Sequence, residues 1–378
     1  MADQSREITA VPVTDRHTVR AWVRLPRTIY RDDPAWVPPL WLAEPAEARA
    51  SRGGARVVRF VAFDGARPVG RIACSLYPGF DVLHLGGYEA VDDDRVPSAL
   101  FAAAAHHARA HGRTTLLGPE GHPLFDTAGI QVSGFQNVVP AGTPHHRPYY
   151  RRQWEEVGGF EPSGTVFTFV AERADQQIPD WLLQVAQRAE AEGYRSPDFH
   201  RFRELARHTD DLARLANVVV AETTGFPALH PRDVKAMRRR LRFLLRADLT
   251  RLVFHGDTLV GALAGMPELG RGLQRAHGRL LPLGWWWLLQ ARRRGDTVTI
   301  NGAFVHPDHQ DRGAIAVAAL PLISGVLADH RWQRIYAAMV EADNVRSRML
   351  AEDALGAVPA AEYRVYRRAV DVDGTAGR

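Results

Sequence analysis

The chain has 378 residues, too many for one ordinary core and suited to two domains. It is 46% hydrophobic and 24% charged with a formal net charge of +5, a globular composition that excludes extensive disorder. A single cysteine, Cys74, excludes an intramolecular disulfide, and its place in an apolar run makes it a core residue.

The chain starts MADQSREITAV, with no basic segment leading into an apolar stretch. A cytoplasmic location is therefore the expectation. Phe63–Ala73, FDGARPVGRIA, reads as two strands around an Asp64-Gly65 turn. A helix follows over about Val96–Ala110, stopped by Gly112, and then the strand TTLLG. Pro119–Pro148 is rich in turn formers and reads as loop. Long loops in compact domains often carry function, so Gly118–Phe135 is expected to line an acceptor pocket, with Glu120, His122 and Asp126, and beyond it Tyr149, as substrate candidates. Gly159-Phe160 then leads into the strand TVFTFV.

The segment Pro179–Tyr194 reads as a helix linking two halves, which places the boundary near Arg173–Ile178 and the domains at 1–175 and 176–378. Helices are expected over Phe202–Ala216 and His230–Ala247. Phe254–Ala264, FHGDTLVGALA, then repeats Phe63–Ala73 at an offset of 191 residues, with identity at five of eleven positions. LLPLGWWWLLQ, Leu280–Gln290, is too short to cross a bilayer. It reads as a buried helix, with a membrane surface or a neighbouring subunit as the alternative; a homodimer stays open. The strand TVTINGAFV, a helix from the loop beginning at His306, the strand RIYAAMV, the helix NVRSRMLAEDAL and the strand EYRVYRRAV complete the chain. The fold class is α/β (α+β), as two copies of one unit.

Two features invite a binding role without fixing it. Lys235–Ala247, KAMRRRLRFLLRA, would attract phosphates on a cofactor, an RNA or a lipid, or form a solvated helix face. His106-His107 and His145-His146 show no metal-ligand spacing, so they are expected at the surface or in a cleft, and no metal is expected.

The chemistry concentrates in VHPDHQDRGAIAVA, which starts at Val305. A strand that feeds a helix through a loop presents backbone N–H groups and the positive end of the helix dipole, which together bind phosphate oxygens. Gln310, Arg312 and Gly313 supply a polar turn residue, a cation and a position without Cβ. This loop resembles the pyrophosphate loop, Gln/Arg-x-x-Gly-x-Gly/Ala, of the GNAT superfamily of acyl-CoA-dependent N-acyltransferases. Gln310, Asp311, Arg312, Gly313 and Ala314 match in order; Ile315 stands where Gly or Ala is expected, and Ala316 comes one residue late. The block from Asn344 is similar to the superfamily's later motif. A group of long bacterial GNAT-like proteins is resembled through LPRTIYRDDPAWVPPL, Asp64–Ala73, Pro148–Tyr150, Gly159-Phe160, Gly278–Trp285 and YRVYRR.

The resemblance implies tandem domains, each a mixed, mostly antiparallel twisted sheet flanked by helices, with acetyl-CoA or another acyl-CoA as co-substrate and a small-molecule amine as acceptor. Cofactor contacts are expected from Phe304, Val305 and Gln310 through Ala316, and from Asn344. The tyrosine that protonates the leaving thiolate in many such enzymes would fall at Ala351. Tyr363 or Tyr366 is the alternative acid, and Glu341, Asp343, His306 and His309 are candidate bases. In the first half the corresponding turn is VDDDRVPSAL, whose aspartates repel phosphate, which marks that half as a degenerate copy. Two other readings remain: a Fem-type transferase taking an aminoacyl-tRNA through Arg238–Arg246, and a non-catalytic small-molecule binder.

Overall fold

The computed structural model describes residues 7–41, 54–123, 127–173, 177–224, 226, 233–235 and 246–370. The chain divides into two compact units, one of Met1–Val166, Ala276–Gly284 and Ala361–Arg378, the other of Phe167–Arg275 and Trp285–Ala360.

The first unit opens with β1 (Ile8–Pro12) and α1 (Arg16–Ile29). Asp15 caps that helix by accepting from the Thr18 N–H at 2.8 Å, and Thr18 returns the contact as a capping box. β2 (Arg56–Asp64) and β3 (Arg67–Leu76) form the predicted hairpin, with Gly65 at φ +59° in its turn. β4 (Val82–Ala90), α2 (Arg95–Ala110) and β5 (Thr115–Gly118) follow. The helix lays Leu100, Phe101, Ala104 and Ala108 into a core shared with Cys74, Tyr88, Trp154 and Phe160. A strand, β6 (Ile130–Ser133), lies where the sequence reads as loop. α3 (Tyr150–Arg152) runs into a π-turn, Gln153–Val157, before β7 (Glu161–Glu172).

In the second unit, the residues of β7 from Phe167 onward precede α4 (Asp180–Ala191) and the two-residue β8 (Tyr194–Arg195). The predicted Phe202–Ala216 helix is two, α5 (Phe202–Ala206) and α6 (Thr209–Thr224). The predicted His230–Ala247 helix falls mostly outside the described residues, as does the basic run within it; Arg246 is described and pairs with Asp248. β9 (Thr250–His255) and β10 (Thr258–Pro267) form the second hairpin, with Gly256 at φ +60°. Then come α7 (Gly270–Ala276), α8 (Gly284–Arg294), β11 (Thr297–Val305), α9 (Ala314–Ala328), β12 (Arg334–Glu341) and α10 (Val345–Met349), which continues as a π-turn over Leu350–Ala354. The strand order is β7-β12-β11-β10-β9-β8. α8 is not the buried helix that its apolar sequence suggests: Trp285 and Trp286 are 48% and 44% exposed.

The chain ends with β13 (Val358–Ala369), which from Ala361 onward belongs to the first unit. There it pairs antiparallel with β5 and with β6. The first unit's strands therefore run β1-β2-β3-β4-β5-β13. Both units are mixed, mostly antiparallel sheets flanked by helices, as expected for two copies of one α/β design.

The copies share one device. In the first, Ala73 faces Gly86 and Arg71 faces Glu89, so β4 holds an extra residue at Gly87, φ +56°. In the second, Leu263 faces Ala303 and Gly265 faces Ile300, so β11 holds an extra residue beside Gly302, φ +110°. A bulge of this kind bends the strand and ends regular pairing. The copies differ in the connection that leads into the bulged strand: five residues, Tyr77–Asp81, join β3 to β4, whereas Glu268–Asp296, carrying α7 and α8, joins β10 to β11.

Candidate active site

β11 and β12 run parallel, and their described pairs extend from Thr297↔Arg334 to Ile300↔Ala337. Beyond the bulge, β11 stays with β10, where Gly261 faces Val305 and the His306 N–H donates to the Val260 carbonyl at 2.8 Å. Among the described residues, Gly302–Val305 has no pairing with β12. Side chains alternate across this open edge: Val305 packs on the core cluster around α9, and Phe304 on the cluster of β9 and β10.

The loop leaves β11 through one 3₁₀ turn, Pro307–His309, in which the His306 imidazole accepts from the Asp308 N–H at 3.3 Å. It enters α9 at Gly313, whose φ of +71° favours glycine. A Cβ there would also lie 2.8 Å from Val185 Cγ1 on α4. The Ala316 N–H turns back to the Gly313 carbonyl at 2.9 Å, whereas those of Ala314 and Ile315, at the very start of α9, have no acceptor within the helix and sit at the positive end of its dipole. Ala314 and Ala316 are buried, and Ile315 packs against the core cluster. The side chain that breaks the glycine pattern is thus committed to packing, while its N–H belongs to the helix start.

The loop's side chains are tied to their neighbours. Gln310 Nε2 donates to the Val305 carbonyl at 3.3 Å, and Arg346 on α10 donates to Gln310 Oε1 at 3.2 Å and pairs with Asp311. Arg312 is exposed. The Tyr194 hydroxyl is 2.7 Å from His309 Nδ1, with the rings of His255 and His306 within 5.8 Å of that of His309. Burial, then the neighbouring histidines and Arg312, holds the His309 pKa below its ordinary value. Neither Tyr194 nor Arg346 is among the sequence candidates. Tyr194 falls inside the predicted linker helix, whereas Arg346, two residues past Asn344, could have been found from its motif.

Glu341 and Asp343 are exposed at the end of β12, and Met339 within that strand adopts φ +57°. Asn344 caps α10, its Oδ1 accepting from the Ser347 N–H at 3.0 Å. Ala351 is buried in the π-turn. Tyr363 and Tyr366 are wholly buried in the first unit, where the Tyr366 hydroxyl donates to Glu155 at 2.9 Å.

In the first unit the corresponding place is occupied by the chain itself. Asp92, Asp93 and Asp94 stand before α2, with Arg152 bonded to Asp92 and Asp94, and Arg95 to Asp93. The Tyr150 hydroxyl accepts from the Ala90 N–H at 3.0 Å, Tyr149 donates to the Ala90 carbonyl at 2.9 Å, and Gln153 donates to the Val91 carbonyl at 2.7 Å. Glu89 accepts from Tyr30 and Tyr150 at 2.7 and 2.8 Å. Burial pushes its pKa up, against the pull of Arg71 at 3.5 Å and of those hydroxyls.

Of the other substrate candidates, Glu120 lies 2.9 Å from the buried His84 imidazole. His122 is buried, its N–H donating to the Tyr77 hydroxyl at 3.0 Å. Asp126 lies outside the described residues. His145 and His146 are buried rather than at a surface or cleft. His145 Nε2 sits 2.9 Å from Asp33, and His146 Nδ1 accepts from the Gln131 N–H at 3.0 Å. Among the described residues, no group of three or more His, Cys, Asp or Glu side chains is arranged to hold a metal.

No family model matches the chain. It is 24% identical over 374 residues to Protein YghO of Escherichia coli K12, covering 94% of each chain. It is 26% identical over 298 residues to the bacterial ceramide synthase of Caulobacter vibrioides, covering 75% of this chain and 76% of that one. Among solved structures it is similar to a tandem GNAT protein from the clavulanic acid biosynthesis pathway, with a TM-score of 0.57 at 16% identity, covering 97% of this chain and 99% of the other.

Proposed function

We propose that this chain, a tandem GNAT-fold protein, is an acyl-CoA-dependent N-acyltransferase whose cofactor is held by the second unit. One contrast carries the reading. Past the bulge of β11 the edge has, among the described residues, no pairing with β12 and carries the Gln310 side chain on its Val305 carbonyl, and α9 starts with the N–H groups of Ala314 and Ile315, whereas past the matching bulge of β4 the edge is bonded by Tyr149, Tyr150 and Gln153 and the helix start is occupied by aspartates. The N–H groups that begin α9, with Arg312 and Arg346, would hold the pyrophosphate. The thioester would reach the edge at Phe304 and Val305, where backbone N–H groups polarise its carbonyl.

The neutral amine attacks the thioester carbon; the C–N bond forms, the C–S bond breaks and the coenzyme leaves as thiolate. Glu341 is proposed to take the amine's proton, directly or through water. Asn344 acts through α10, whose start it caps and from which Arg346 reaches the loop. With alanine at position 351 and Tyr363 wholly buried in the first unit, the thiolate takes its proton from solvent. Positioning of the two reactants supplies most of the rate. One relative is named a bacterial ceramide synthase, so long-chain amino alcohols join simple amines among the proposed acceptors.

Calorimetric titration tests the cofactor site, using acetyl-CoA, palmitoyl-CoA and free coenzyme A against the native chain and an Arg312→Glu/Arg346→Glu variant. Micromolar binding to the native chain that is lost in a variant with an unchanged melting temperature is expected. Binding that survives the double substitution would move the cofactor elsewhere, and silence from every acyl-CoA would favour a non-catalytic binder.

A further inference from the structure

The α7–α8 connection is an addition that the second unit makes to the shared design. α8 packs on α7 through its inner side: Gly272 admits it so closely that a Cβ would lie 2.9 Å from both Ala291 Cβ and the Trp287 carbonyl, and Arg275 stands 5.4 Å from the centre of the Trp287 ring. At 100° per residue, the opposite side carries Trp285, Trp286 and Leu289 over its first half and Arg292 and Arg293 over its second. Leu281 and Leu283, just ahead of the helix in the chain, are also exposed.

A solvated helix end explains arginines at a C-terminus through the dipole and the last carbonyls. Here that work is already done: Arg331 donates to the Arg292 carbonyl at 2.8 Å and to the Gly295 carbonyl at 2.7 Å. Among the described residues, none of Arg292, Arg293 and Arg294 has an acidic partner. From Gly270 to Gly295 the sequence holds six arginines and no aspartate or glutamate. Exposed tryptophans beside unpaired arginines match a bilayer interface, where indoles settle at headgroup depth and guanidinium groups meet lipid phosphates.

We infer that α8 docks the protein on the surface of an anionic lipid bilayer. The helix lies along the surface, Trp285, Trp286 and Leu289 enter the headgroup region, and Arg292 and Arg293 bind lipid phosphate. β11 then separates α8 from the loop at His306 by nine residues, about 30 Å of strand. The inference goes beyond the proposed activity and does not depend on it.

The test is co-sedimentation of the full chain with vesicles of phosphatidylcholine containing about a third phosphatidylglycerol, and with phosphatidylcholine alone. Tryptophan fluorescence is read in parallel, and sedimentation equilibrium without lipid. Binding to the anionic vesicles with a blue shift is expected, at least about fivefold weaker in 0.5 M salt, where screening shortens the reach of the arginines. Trp285→Ser/Trp286→Ser should cut affinity about tenfold or more, and Arg292→Glu/Arg293→Glu should abolish it, with melting temperatures unchanged because these side chains lie on the side of α8 away from α7. No binding, binding equal on both vesicle types, or binding indifferent to either variant overturns the inference. So does a dimer in lipid-free solution that the tryptophan variant converts to a monomer, since a second copy would then be the occupant of this face.

Discussion

The Tyr194 hydroxyl and His309 Nδ1 are 2.7 Å apart, which fastens the loop after β11 to the short strand after α4. His309 is held neutral at pH 7 by burial and by the histidines and arginine around it, so the contact is one hydrogen bond between uncharged groups. Such a bond contributes about 0.5–1.5 kcal/mol net. If it fixes the loop for the cofactor, Tyr194→Phe should weaken coenzyme A binding about two- to tenfold in calorimetry, with little change in melting temperature. Equal affinity would show that the loop holds its shape without it.

Gly313 faces two constraints at once, a left-handed backbone and the approach of Val185. Alanine in that conformation costs about 1–2 kcal/mol, and the 2.8 Å encounter with Val185 Cγ1 adds an overpacking term of about 1–3 kcal/mol. Gly313→Ala should therefore lower unfolding free energy by about 2–5 kcal/mol in urea. In a Val185→Ala background the same substitution should cost less, because the encounter with Val185 Cγ1 is gone while the backbone term and the contacts with the Val185 carbonyl and Ala189 Cβ remain. Equal cost in both backgrounds would mean that α4 shifts freely. A carboxylate at position 313 is for the same reason a poor probe of phosphate binding, since it would disturb α4 before it met any ligand.

Much of this arrangement is legible in the sequence because local rules and the repeat agree. The two hairpins announce themselves by an Asp-Gly and a His-Gly turn at a fixed offset, and TVTINGAFV runs as a strand over its full length, Thr297–Val305. β6 is hidden because its partner, β13, lies more than two hundred residues away, and Ile130–Ser133 alone carries no strand signal beyond four residues between turn formers. α8 misleads in the other direction: an apolar run reads as core, and only the structure shows Trp285 and Trp286 outward. At the site, backbone features were readable through glycines, whereas the Tyr194–His309 contact depends on where a helix stops.

His146 gives the first unit an acid sensitivity. Burial, with the nearby His145, lowers its pKa to about 3 from the ordinary 6.5. Between those values the unfolded chain binds a proton that the folded chain refuses, so stability falls as pH drops through 6.5 and goes on falling toward 3. At pH 5 the loss is on the order of 2 kcal/mol relative to pH 7. His146→Gln should flatten this part of the stability profile, measured by urea unfolding at pH 5, 6 and 7, whatever its effect on the absolute value. An unchanged slope would place the titrating group elsewhere.

Ile315 tests whether the departure from the glycine pattern matters for binding. Its side chain lies partly buried against the cluster of α4 and α9, and what the position offers a phosphate is its N–H. Ile315→Ala should then cost about 1–3 kcal/mol of stability, less than at a fully buried site, and leave coenzyme A affinity within about twofold. Ile315→Gly should lose about 1 kcal/mol more through helix propensity, again without tighter binding. A gain of tenfold or more in either variant would instead show that the isoleucine obstructs the pyrophosphate, and that the loop of the native chain had given up coenzyme A while keeping the geometry that once held it.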